Sequence, residues 1–449
     1  NLSIKWSVTG ITFEPDKSND SLSAIPVENI IVENCTIHDV RAGIYPDGFI
    51  KHVRIRGNHV YNMNLYSYWG PGDDHAIALQ GGGNDVIIEN NHLHYLCGEG
   101  VVLYYDYHWP TFKNFVVRYN IIHDVKRYWD APYANIRGID FGTGYLSFED
   151  LSEIYNDSIY YNLIYNIGDS TQWDRGVALR IKSPVNPVTG QGPWHVLNNT
   201  VFNSNIGLEW AFYQPDNTSL MEAGFEFKNN IISNSRFYHI YFYDDPETYN
   251  LSGAIMDNNL YYPDGEIMFY TNHFGAGNFS DWQAWNVPYN REQNSILADP
   301  QFVNADGYNY HLSEYSPAIN AGQDMGLTLD LDGNPVFQGS APDIGAFESP
   351  YLSTIMESNT LPNKFALLQN YPNPFNPRTT ITYFIPFPTQ VELSIFNLVG
   401  QKVQTLVNDR KNPGQYKVIW DASNVSSGLY LYQLKLDKLV ISKKCIVLK

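Results

Sequence analysis

The chain has 449 residues, 43% of them hydrophobic and 15% aromatic, with a formal net charge of −19 at pH 7, and is long enough for more than one domain. The acidic excess disfavours a nucleic-acid partner, and no apolar run is long enough to span a bilayer. Three cysteines, Cys35, Cys97 and Cys445, are too few and too scattered for a disulfide framework or a zinc site, and read as buried free thiols.

Residues 1–25 open on a strand-like alternation, Ile4-Lys-Trp-Ser-Val8, with no initiator Met. They read as the start of a processed or truncated secreted product and are expected to cap the open end of the repeats that begin at residue 26. In those repeats one motif keeps returning: Asn, any residue, an aliphatic or aromatic residue, any residue, then usually Asn or Asp. Its copies start at Asn58, Asn91, Asn120, Asn162, Asn199, Asn230 and Asn259, and an earlier copy has Cys35 in the Asn place. A short apolar alternation precedes each copy, such as Val86-Ile-Ile88 or Phe115-Val-Val117. Self-similarity of this kind marks a solenoid. Asn tolerates the left-handed backbone of a sharp turn and, stacked once per coil, forms an amide ladder. The steps run from 23 residues (35 to 58) to 42 (120 to 162), so the longer coils carry loops, where solenoids place function.

These repeats resemble the right-handed parallel β-helix of pectate-lyase-like secreted proteins. The resemblance implies an all-β rod over residues 26–294. Trp282 and Trp285 lie in a helix or loop that covers the rod's side. Residues 295–349 form a closing block, with Asp299-Pro-Gln-Phe302, Ser316-Pro-Ala-Ile319-Asn-Ala-Gly322 and Asp343-Ile-Gly345-Ala-Phe-Glu348. Residues 350–362 are a Ser/Asn/Thr/Pro linker. Residues 363–449 read as a seven-strand, Ig-like β-sandwich from strands at short regular spacing with turn signals between them. The order Tyr371-Pro-Asn-Pro-Phe375-Asn-Pro377, Gly414-Gln-Tyr416, Trp420-Asp421 and Ser427-Gly-Leu-Tyr430 resembles the C-terminal sorting domain of type IX secretion substrates. That resemblance implies the type IX secretion machinery as a partner and an extracellular, cell-surface location. The charge is uneven: residues 361–449 hold more Lys and Arg than Asp and Glu, and the acidic excess lies in the remainder.

One sheet of such a rod carries the working face. Strand alternation places it after the starts Gly43-Ile44, Ala76-Ile77, Gly100-Val101, Gly138-Ile139, Gly176-Val177 and Gly207-Leu208, with every second residue pointing out. One outward column then reads Tyr45, Ala78, Val102, Asp140, Ala178, Glu209. The next reads Asp47, Gln80, Tyr104, Gly142, Arg180, Ala211. The catalytic candidates are Asp140, Arg180, Glu209, Tyr104 and Lys182. The substrate-binding candidates are His75, Gln80, Glu99, Arg137 and Arg175, with Asp106 also at the rim.

Two chemistries fit a polysaccharide. Asp140 and Glu209, two coils apart, suit the carboxyl pair of an inverting hydrolase. Arg180 or Lys182 with Tyr104 suits proton abstraction from a sugar, the lyase or epimerase reaction. Calcium at Asp140 or Glu209 would help to bind a uronate. Against both stands a plain salt-bridge ladder on a solvent face. Asp330 and Asp332 are further calcium candidates, although a solvated Asp-Gly turn accounts for them more simply. Asp73-Asp74-His75 reads as an exposed turn with a metal or acid/base option. His38, His59, His92, His94 and His123 recur with the repeat, which argues for structure and against a metal site. The expectation is a secreted surface protein that binds polysaccharide, with cleavage as an open option. The rival is a non-catalytic subunit of an extracellular filament or surface coat, self-assembled head-to-tail through its basic tail.

Overall fold

The computed structural model describes residues 3–5, 9–13, 27–46, 48–63, 74–105, 111–126, 135–143, 153–155, 157–169, 176–183, 194–212, 221–222, 225–243, 249–250, 254–265, 268–271, 275–350, 366–367, 370, 373–385, 388–397, 399–411, 414–436 and 439–448. The chain divides into two compact units, one of residues 1–337 and 341–348 and one of residues 338–340 and 349–449.

The first unit is a parallel solenoid with three long sheets. In each sheet the same stretch of successive coils pairs in parallel, as Val86 with Phe115 or Leu93 with Ile122. Alternation sends Val60, Leu93, Ile122, Ile164 and Val201 into the rod, where all are fully buried. The sheets begin inside the segment expected as a cap. Ser3–Lys5 pairs with Thr36–His38, and Thr9–Phe13 pairs with Ala42–Pro46.

The repeated asparagines stand in one column at the edge of one sheet, which we call the amide sheet. Each Asn Oδ1 accepts two bonds from the Asn of the preceding coil, one from its backbone N–H and one from its side-chain amide. From Asn58 to Asn259 these bonds are 2.9–3.2 Å long. The amide also donates to a backbone carbonyl, as Asn162 Nδ2 does to Val117 O at 2.9 Å. Cys35 opens the column, its N–H donating to Asn58 Oδ1, and the Ser295 hydroxyl closes it by accepting from Asn259 N–H. The left-handed turn falls elsewhere than expected. It is taken by the residue before each ladder Asn (Asn90, Tyr119, Tyr161, Asn198, Asn229, Asn258) and by the fifth residue of the motif (Asn62, Tyr95, Asp124, Asn166, Asn203, Asn234). The ladder Asn is kept for its amide.

Trp282 lies on a helix, Phe279–Asn286, whose start is closed by a capping box between Asn278 and Asp281. The helix buries Trp282 against Phe242 and Phe269. The block after residue 295 lies along the flank of the middle coils. Gly345 N–H donates to Asn229 O, Ala346 N–H to Thr200 Oγ1, Asn198 Nδ2 to Asp343 O, and Asn258 Nδ2 to Ala321 O. Its Phe302 and Tyr310 pack on Phe202 and Tyr165 of the amide sheet.

The second unit is a small antiparallel sandwich. Ala366–Leu367, Arg378–Ile385 and Gly414–Asp421 form one sheet; Lys402–Lys411, Thr389–Phe396, Gly428–Leu436 and Leu439–Val447 form the other. Trp420, Tyr383, Leu393, Ile395 and Tyr432 fill the core between them.

Candidate functional site

The site sheet contains His75–Gly81, Glu99–Tyr105, Arg137–Thr143, Val177–Ser183, Ile206–Phe212, Tyr238–Tyr243 and Phe269–Thr271, paired in that order. Ile139, Leu179 and Leu208 are fully buried in the rod and fix the parity of their strands. Asp140, Arg180 and Glu209 therefore share the opposite face, as expected. The register differs by two residues in one strand. Asp140 pairs with Arg180, and Arg180 pairs with Glu209. Arg180 thus stands between the two carboxylates, in the place expected for Ala178, and Lys182 stands beside Gly142.

The reason is local. The position that Gly43, Gly100, Gly138 and Gly207 occupy in their coils needs a small residue, because a Cβ on Gly138 would sit 2.5 Å from the Ala178 carbonyl oxygen. In the Val177–Ser183 coil that place is filled by Ala178. Gly176, which resembles it in sequence, is instead a turn residue with φ +101°.

The result is one connected ladder of charge. His75 Nδ1 lies 2.8 Å from Glu99 Oε2, and Arg137 Nη1 lies 2.7 Å from Glu99 Oε1. The same Arg137 nitrogen binds Asp140 Oδ2. Arg180 Nη1 stands 3.7 Å from Asp140 Oδ2, and Arg180 Nε lies 2.7 Å from Glu209 Oε1. The ladder is not on an open solvent face: Asp140 is 1% exposed, Glu99 and His75 3%, and the Arg180 and Glu209 side chains 12% and 13%. Such burial is tolerable because acid and base alternate along the rungs.

Beyond Glu209 the column turns aromatic. Glu209 pairs with Tyr241 and Tyr241 with Tyr270. The two rings stack with centroids 5.0 Å apart, and Tyr238 lies against both. These tyrosines are absent from the candidates that the sequence suggested. A signal for them exists: in Tyr238-His-Ile-Tyr-Phe-Tyr243 the buried Ile240 and Phe242 turn Tyr241 outward.

Gln80, Tyr104 and Lys182 lie on these strands in the neighbouring column, Gln80 beside Tyr104 and both Tyr104 and Lys182 beside Gly142; their side chains fall outside the described residues. Arg175, Asp47, Asp73 and Asp106 lie outside them altogether. Asp74 and His75 are buried rather than on an exposed turn, and Asp74 Oδ1 accepts from Arg41 Nε at 2.7 Å.

Asp330, a calcium candidate, has its carboxylate engaged. It accepts from Asn334 N–H and Nδ2 and from Glu348 N–H at 2.6–3.2 Å. Burial, then the neighbouring Asp332, pushes Asp330 up to about 7. Burial and the nearby Asp343 push Glu348 well above the usual carboxylate range. Asp332 faces His311 Nε2 at 2.6 Å.

The repeat-locked histidines form two outward columns on the amide sheet. His59 and His92 are neighbours in one; Tyr61, His94, His123 and Tyr165 succeed one another in the second. His59 Nε2 meets His94 Nε2 at 2.7 Å, and His92 Nε2 meets His123 Nε2 at 2.8 Å. Burial and the adjoining imidazoles hold His92 down to about 4 and His94 down to about 3.

A family model described as a right handed β-helix region matches residues 3–162, and one described as a secretion system C-terminal sorting domain matches residues 369–448. Among solved structures, the complex of XylC with xylose aligns at 12% identity and a TM-score of 0.26, over 93% of this chain and 52% of its own. The chain thus spans about half the length of that protein. No curated protein matches the chain. Among the described residues no helix is long and apolar enough to cross a membrane. Parallel coils and a terminal sorting sandwich together make this a right-handed parallel β-helix protein, secreted to the cell surface by the type IX route.

Proposed function

We propose that the protein binds polysaccharide at the cell surface, along the outward column of the site sheet from Arg180 to Tyr270. The observation that carries this reading is the continuity of that column. Arg180 and Glu209 run directly into the stacked Tyr241 and Tyr270. Charged groups that bond hydroxyls beside aromatic faces that pack on apolar ring surfaces are what a sugar chain requires. Binding is favoured over hydrolysis by the Asp140–Glu209 pair. An inverting reaction needs a water between its carboxylates, and here the Arg180 guanidinium contacts both.

Affinity electrophoresis against a panel of neutral and uronate-containing polysaccharides tests the reading. Retarded migration in at least one gel is expected, without release of reducing ends or unsaturated uronate products. Unretarded migration across the panel would defeat it, and glycan breakdown lost on Arg180→Ala would replace binding with catalysis.

The uneven charge favours a second reading, a filament subunit whose basic tail meets the acidic body of a neighbour. Sedimentation at low and high salt separates the two. Assembly at low salt that is lost on deleting residues 350–449 supports the filament; monomers in both conditions dismiss it.

A further inference from the structure

We propose that His59, His92 and His94 form a binding site for a first-row divalent transition metal of the zinc or copper class on the amide sheet, separate from the charge ladder. One ring nitrogen from each lies within 4.8 Å of the others. Strand geometry makes the set: His92 and His94 are two residues apart on one strand and so share a face, and His59 is the direct cross-strand neighbour of His92.

Ring stacking alone does not account for the arrangement. Stacking runs along the rod, as in His94 on His123 at 5.0 Å and His123 on Tyr165 at 4.5 Å, and tyrosine serves it equally well. The contact between His59 Nε2 and His94 Nε2 runs diagonally between the columns, edge to edge, and repeats one coil later between His92 and His123. The columns also change character. Tyr165 and Phe202, which the closing block covers, are plain aromatics. In the coils before them the columns hold His59 and His92 in one, and His94 and His123 after Tyr61 in the other.

Two lone pairs cannot face each other at such a distance, so without a metal each diagonal must hold a proton between its nitrogens. A cation replaces that proton. With metal–nitrogen bonds of about 2.0–2.1 Å in tetrahedral geometry, bound nitrogens stand about 3.3 Å apart, so the His59–His94 pair would open by about 0.6 Å and the widest pair would close by up to about 1.5 Å. His123 supports the site from behind. Its Nδ1 lies 2.7 Å from Asp124 Oδ2, which orients the ring whose Nε2 meets His92 Nε2. An all-imidazole donor set suits zinc, copper or nickel over calcium or magnesium.

The test is calorimetric titration of the untagged full-length protein with zinc chloride in a non-chelating buffer, together with electron paramagnetic resonance of the copper(II)-loaded protein. One zinc per chain at a Kd of about 1 µM or tighter is expected, with nitrogen superhyperfine structure from the copper sample. His94→Tyr keeps a ring in the stack, as Tyr61 and Tyr165 do in the same column, and should fold normally yet bind zinc at least about tenfold more weakly. His59→Gln should do the same. His52→Gln, on the third sheet, should bind as the unaltered chain does. No binding tighter than about 100 µM, or unchanged binding by both folded His94→Tyr and His59→Gln, would overturn the proposal.

Discussion

Two ladders run along the same rod, and they are built on opposite rules. On the amide sheet every rung repeats one residue, because an amide is donor and acceptor at once and can tile without end. On the site sheet every rung differs, because a buried carboxylate can stack only on a cation. The amide column therefore runs through seven asparagines from Asn58 to Asn259. The charged column ends where its alternation ends, at Glu209, and passes over to tyrosine. Uniform columns make length; heterogeneous columns make a place.

Breaking the uniform ladder should cost most. Asn162→Ala removes the acceptor of two Asn120 donors and the donor to Val117 O. Leaving these groups unpaired in a dry interior should lower stability by about 4 kcal/mol, read by denaturant unfolding monitored on the body's signal. Arg180→Met should cost less, about 3 kcal/mol, by leaving Glu209 buried without its cation. Arg180→Met combined with Glu209→Gln should recover at least half of the loss, since the harm lies in the unpaired charge.

The buried carboxyls of the closing block should show a third behaviour. Asp330 is raised to about 7 and Glu348 higher still. A carboxyl raised on folding binds its proton more tightly in the native state. Its favourable contribution is complete in acid below the unfolded carboxyl range, and it is lost as pH rises through the folded value. The melting temperature of the body should therefore fall between pH 5 and pH 9. Asp330→Asn should flatten that fall by a few degrees; an identical slope in the variant would contradict the assignment.

The two ladders were unequally legible in the sequence. The amide column could be read directly, because each copy announces itself with the same letter. Even so, the left-handed residue proved to be a neighbour of the ladder Asn. The charged column was legible in parity but not in register. Period-two alternation sets which face Arg180 occupies, whereas its rung depends on which small residue starts the strand, and Gly176 imitates a start that Ala178 makes. Tyr241 and Tyr270 carry no charge and do not stand out in a chain with 34 tyrosines. The flank position of the closing block was illegible, since it rests on contacts such as Asn198 to Asp343, 145 residues apart.

The smallest change in stability should bring the largest change in binding. Tyr270 is half-buried at the aromatic end of the column, and Tyr95 is an exposed tyrosine on the amide sheet. Affinity electrophoresis of Tyr270→Ala and Tyr95→Ala, on a polysaccharide that retards the unaltered protein, tests the column most directly. The account predicts about tenfold weaker binding for Tyr270→Ala, equivalent to about 1.4 kcal/mol, and no change for Tyr95→Ala. Full retardation of a folded Tyr270→Ala, or loss confined to Tyr95→Ala, would contradict it.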